Sequence, residues 1–137
     1  MKLLEISPWS CILAAAGLLL VPFRFLMAAL VAALWHELCH LCVLKLFSVP
    51  ILGIRVGLFG AVIRSGYLMP IQELVSSAAG PAGSLLLLLT ADIFPLLAFC
   101  GLVQGIFNLI PIYPMDGGRI LRTLLILGRE KYLAKMR

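Results

Sequence analysis

The sequence predicts an all-α, polytopic membrane protein with about four transmembrane helices, a small β-hairpin between the second and third, and a broken fourth helix. Three observations carry that prediction. Of the 137 residues, 63% are hydrophobic and only 12% are charged, against roughly 45–50% and about 25% in soluble domains. Mean hydropathy is +1.13. Several apolar runs also approach the roughly 20 residues needed to cross a 30 Å hydrocarbon core at 1.5 Å per residue. A soluble fold of this size could not bury so much apolar surface, and disordered, collagen-like and disulfide-scaffold classes fail for the same reason.

The first span is expected from about Ile6 to Phe23. Lys2 ahead of it allows a signal peptide, but Glu5, Trp9 and the lack of a polar region afterwards favour a retained span. The second span, about Phe25 to Leu46, is the longest. Between Pro50 and Tyr67 the pattern changes to β-branched residues and glycines around Gly57-Leu58-Phe59-Gly60, which reads as a hairpin, with a plain membrane-surface loop as the alternative. An open strand edge cannot face lipid, so the hairpin belongs at the interface or against protein. The third span is expected from about Leu74 to Ala91 and the fourth from about Phe94 to Pro111. The apolar stretch Gly118 to Leu127, with basic residues after it, continues the fourth helix beyond a break or lies along the membrane surface.

Charge sets the expected orientation. The net charge is +5 from 11 Lys and Arg. With four spans, Lys2, Lys45, Arg55, Arg64, Arg119, Arg122, Arg129, Lys131, Lys135 and Arg137 fall on the side of the termini and Arg24 alone on the other. That bias predicts a multi-pass membrane protein with both termini cytoplasmic. The basic residues edge apolar runs and form no aromatic-interleaved patch, so nucleic acid is not an expected partner. Cys11, Cys39, Cys42 and Cys100 all lie in apolar stretches and read as packed thiols.

Both histidines of the chain lie in His36-Glu37-Leu38-Cys39-His40. Residues four apart share a helix face, so the two imidazoles can grip one metal ion, with Glu37 beside them as a general base. An ionisable group inside a span is costly and points to function, and a metal supplies the cation that Glu37 needs. A catalytic zinc commonly has a third protein ligand. The carboxylates available are Glu5, Glu73, Asp92, Asp116 and Glu130. Glu73 suits the first turn of the third span. Asp116 stands out, because Pro111, Pro114, Gly117 and Gly118 must break the helix beside it. Broken backbone at membrane depth is tolerated only where it lines a cavity.

Taken together, His36-Glu-Leu-Cys-His40, Ala79-Gly80-Pro81 and Asn108-x-x-Pro-x-x-Pro-Met-Asp116-Gly-Gly resemble the site-2 protease family of intramembrane zinc metalloproteases. Leu109 to Arg119 is most similar to the bacterial stage IV sporulation branch, which activates a membrane-tethered sigma-factor precursor. The resemblance implies zinc (Zn2+) held by His36, His40 and Asp116, Glu37 as catalytic base, and Asn108 as the residue that holds substrate or polarises the scissile carbonyl. It implies hydrolysis of a peptide bond in or near the membrane segment of a membrane-associated protein, with the lipid bilayer as its setting and a regulatory membrane partner left open. Cys39 departs from the small residue usual before the second histidine, though its helix position turns it from the His36/His40 face. Residues 1–137 read as a single membrane-embedded metalloprotease core with no PDZ-like or regulatory domain. The alternative is a zinc-binding scaffold or transport element without protease activity, which would have no need of Glu37. A holin-like pore would spread its polar residues along a helix instead of clustering them.

Overall fold

Length and composition single out two membrane-length helices in the structure, a computed structural model that describes residues 4–6, 17, 20–57 and 60–136. Helix α1, Phe23–Leu46, has 24 residues and a mean hydropathy of 1.7. Helix α2, Pro70–Leu86, continues through a 3-10 turn, Leu87–Thr90, to give 21 residues with a mean hydropathy of 1.3. Only 17% and 33% of their apolar windows are buried, whereas a soluble protein's core helix would be mostly covered. Both are thus long and apolar enough to cross a membrane.

The remaining elements follow from local chemistry. A Schellman turn ends α1: Ser48 takes a positive φ of 54°, its N–H bonds the Lys45 carbonyl, and the Val49 N–H bonds the Leu44 carbonyl. Strands β2, Ile51–Gly57, and β3, Gly60–Ser65, then pair antiparallel, with Gly57 opposite Gly60. This is the expected hairpin. It carries a third strand that the sequence did not announce, β1, Leu4–Ile6, which pairs parallel with β2 and gives the order β1-β2-β3. Ile6, the expected start of the first span, belongs to that strand; most of that span lies outside the described residues. Pro70 opens α2 at its first position, where a missing N–H costs nothing, and the Met69 N–H donates to Gln72 Oε1 at 3.0 Å.

Helix α3, Pro95–Asn108, has only 14 residues, and α4, Asp116–Lys135, has 20. The seven residues between them are the break expected at the two prolines. Four transmembrane helices are thus more than the described residues contain by length: α3 stops short where the chain turns towards Asp116.

The interior inverts the soluble pattern. Among the described residues the buried hydrophobic side chains are Ala32, Leu44, Leu87 and Ala98, while His36, His40, Ser76, Ser77, Ser84, Asp116 and Thr123 are also buried. Large apolar side chains such as Leu30, Leu34 and Phe99 face outwards. Helices close up through small residues, as membrane helices do. A Cβ on Gly101 would sit 2.7 Å from the Ser84 carbonyl oxygen, and one on Gly83 would sit 2.2 Å from Cys39 Sγ.

Candidate metal centre

Helix α1 places His36 and His40 on one face, and both are buried, at 2% and 7% exposure. Asp116, the first residue of α4, is buried at 7% and reaches both of them. Its Oδ2 lies 3.1 Å from His36 Nε2 and 3.2 Å from His40 Nε2, and the two Nε2 atoms are 3.1 Å apart. The structure thus joins the carboxylate to the histidines across 76 and 80 residues of chain.

The donors are oriented for a cation. His40 Nδ1 lies 2.7 Å from the Ser76 carbonyl oxygen, which can only accept, so Nδ1–H donates to it. In the neutral ring Nε2 is then left with a lone pair. The Ser84 hydroxyl, 2.8 Å from His36 Nδ1, can accept from that ring in the same way. Both Nε2 lone pairs and the carboxylate oxygen would then converge on one point, an arrangement that repels itself unless a positive charge sits among them. Tetrahedral zinc with bonds of about 2.0–2.1 Å spaces its donors about 3.3 Å apart, and the observed 3.1–3.2 Å lies close to that. The donor set fits the ion.

Space for the ion comes from α2 and the α3–α4 connection. A Cβ on Gly80 would lie 2.1 Å from His40 Nε2 and 2.6 Å from His36 Nε2, so any side chain there would occupy the convergence point. On the other side, a Cβ on Gly117 would meet the Leu109 carbonyl oxygen at 2.1 Å, and one on Gly118 would meet Ile112 C and Tyr113 N at 2.6 Å. The connection therefore folds back tightly onto the first turn of α4, and the glycine pair permits it. Arg119 Nε, one turn on, lies 3.7 Å from Glu73 Oε1 on the first turn of α2, tying the two helices beside the site.

Glu37 is half-buried next to the histidine face, and its electrostatic neighbours are His40, His36, Asp116 and Arg119. No hydrogen bond or ion pair holds its carboxylate among the described residues. Asn108 ends α3, and its Nδ2–H donates to the Gln104 carbonyl at 3.0 Å instead of reaching a ligand. Cys39 Sγ lies against Gly83, away from the donors, and is not among the metal-holding cluster of His36, His40 and Asp116. Of the other carboxylates weighed from the sequence, none joins that cluster among the described residues.

Sequence reasoning missed Ser76 and Ser84 as partners of the His40 and His36 rings, and gave Gly80 no steric role. A signal was present: 76, 80, 83 and 84 are small residues at helical spacing, which marks the face of α2 that meets α1. Trp35 Nε1–H, donating to the Gly83 carbonyl at 2.8 Å, fastens the same contact.

Comparison with known proteins adds an independent line. Peptidase family M50 matches residues 69–136, a stretch that includes Asp116 and Gly80. The chain is 36% identical over 109 residues to a zinc metalloprotease of Methanocaldococcus jannaschii, covering 69% of this chain and 32% of the relative. It is 30% identical over 135 residues to the stage IV sporulation protein FB of Bacillus subtilis, covering 88% of this chain and 47% of the relative. Among solved structures, the site-2 protease from Methanocaldococcus jannaschii superposes with a TM-score of 0.69 at 28% identity, covering 91% of this chain and 68% of that one. The chain thus spans about a third to a half of the length of these two curated relatives.

Proposed function

The chain belongs to peptidase family M50, the site-2 protease family, and from that premise we propose that it is an intramembrane zinc metalloendopeptidase with His36, His40 and Asp116 as ligands. The observation that supports this most is the convergence of the two Nε2 atoms and Oδ2 within 3.1–3.2 Å of one another. Bound there, zinc would lower the pKa of a water and polarise the scissile carbonyl.

The chain's own residues supply the rest. Glu37, with no hydrogen bond or ion pair of its own among the described residues, takes the proton of the attacking water on its carboxylate. It then gives that proton to the amide nitrogen as the peptide bond breaks. Ser76 and Ser84 hold the two rings through Nδ1. Asn108 exchanges its helix carbonyl for the substrate's backbone, or polarises the scissile carbonyl, through the same Nδ2–H. A substrate helix must unwind to expose its backbone, and the edge of β3, which has no partner strand beyond β2 among the described residues, can hold the extended segment by strand addition. Because β2 is the central strand, β3 is the place to test this: Val62→Pro should slow cleavage and leave zinc content unchanged.

The proposed substrate is a membrane-tethered protein, with a sigma-factor precursor suggested by the likeness to the sporulation branch. The proposed setting is a multi-pass place in a bacterial cell membrane with both termini cytoplasmic. The deciding experiment measures zinc content and cleavage of a membrane-tethered substrate in proteoliposomes. Glu37→Gln should keep zinc and lose turnover by roughly 10²–10⁴-fold, whereas Asp116→Ala should lose both. Full zinc in Asp116→Ala would overturn the ligand set. Unchanged turnover in Glu37→Gln would overturn the base, and a zinc-loaded wild type without turnover would favour the non-proteolytic scaffold.

A further inference from the structure

The face of α4 turned away from the metal centre is built differently from the face that carries Asp116. Asp116 and Thr123, seven residues apart, are the buried side against α2. At 100° per residue, residues 121, 122, 125 and 129 form the opposite stripe. With Pro111 and Tyr113 of the connection, Leu121, Leu125, Arg122 and Arg129 line an open groove of about 470 Å³. Leu125 is 67% exposed and Tyr113 is 72% exposed.

Depth follows from the helix contacts. Asp116 lies at the level of the rings held by Ser76 and Ser84, while Arg119 lies at Glu73, so α4 runs antiparallel to α2 towards Pro70. One more turn brings Arg122 level with Pro70, where the apolar helix α2 begins. Arg129 stands two turns further on, about 10 Å along the axis. The two guanidinium groups therefore sit at and beyond the edge of the hydrocarbon, with Leu125 between them and Leu121 on the hydrocarbon side of Arg122.

Charge fixes what fits there. Beyond Arg119, α4 carries Arg122, Arg129, Lys131 and Lys135 against Glu130 alone. Neither Arg122 nor Arg129 has an ion-pair partner among the described residues. We propose that this groove is a binding site for an anionic phospholipid, its headgroup phosphate held by Arg122 and Arg129 and an acyl chain lying along Leu121 and Leu125. A guanidinium donates in a planar fork that suits phosphate oxygens, and basic groups at a membrane surface favour anionic over neutral lipid. The site rests on the membrane reading but not on the protease chemistry, because the groove faces away from the ligands.

The test titrates the detergent-purified chain with dioleoyl phosphatidylglycerol or dioleoyl phosphatidylcholine and counts bound lipid by native mass spectrometry. Wild type should prefer phosphatidylglycerol by roughly thirtyfold, about fivefold per guanidinium. In Arg122→Gln/Arg129→Gln the preference should fall to within about twofold, while zinc content, which reports folding, stays as in wild type. If that variant loses zinc, Arg122→Lys/Arg129→Lys replaces it and should retain a weakened preference. Lys131→Gln/Lys135→Gln, outside the groove, should keep the preference. Equal binding of the two lipids by wild type, or an equal loss in the lysine variant, would overturn the site. So would displacement of the lipid by 10 mM inorganic phosphate, which would mark a free-anion site, or lipid-free dimers dissociated by the arginine variant, which would make the groove a contact between copies.

Discussion

Gly80 and Ser84 show how much of the centre depends on residues that touch no substrate. Any side chain at 80 would lie within bonding distance of a ligand nitrogen, so Gly80→Ala should bring zinc from about one per chain to near zero, as read by metal analysis of the purified protein. Ser84→Ala should be milder: the ring of His36 keeps its helix but loses the partner at Nδ1. Such losses weaken metal affinity by about 10–100-fold, measurable by competition with a chromophoric chelator. The difference between these residues and the ligands explains what could be read in advance. His36, Glu37, His40 and Asp116 are chemically conspicuous in an apolar chain, so residue type and spacing reveal them. A serine hydroxyl or a missing Cβ becomes functional only once another helix is laid against it, and no local pattern states which helix that is.

Helices and strands were legible to the extent that they are locally encoded. Helices near the expected third and fourth spans, a hairpin with Gly57 opposite Gly60, and a break at the proline and glycine pairs before α4 all follow the sequence pattern. The boundaries of α2 and the parallel strand β1 were not legible, since β1 owes its strand conformation to β2, about fifty residues away, and its apolar residues read equally well as the start of a span. Glycines within helices divide on the same principle. A Cβ on Gly83 or Gly101 would run into a neighbouring helix, and one on Gly105 would be tight, 3.3 Å from the Pro81 carbonyl oxygen. Gly128 has nothing within 4 Å of its Cβ position, so only its backbone entropy distinguishes it. Gly128→Ala should therefore stabilise α4 by up to about 1 kcal/mol, seen as a higher midpoint in thermal unfolding monitored by circular dichroism, with zinc content unaltered.

On the scale of the whole molecule, the buried polar set is where the fold concentrates its specificity, and most of the apolar surface is left to lipid. Zinc held at the proposed site between α1 and α4 would stabilise the assembled form by mass action, by about 2.7 kcal/mol when free metal is a hundredfold above the dissociation constant. Chelation should accordingly lower the unfolding midpoint of wild type in detergent and leave that of His36→Ala/His40→Ala unmoved. The placement of the ligands, two histidines early and the aspartate 76 and 80 residues later, also orders events during synthesis. A ribosome adds about 5–20 residues each second, so at least roughly 4–16 s separate the emergence of the first donors from that of the last. Through that interval the nascent chain holds Glu37 and two of the three proposed ligands but no complete centre. On that assignment, translation itself would withhold the proposed activity until the last donor has been made.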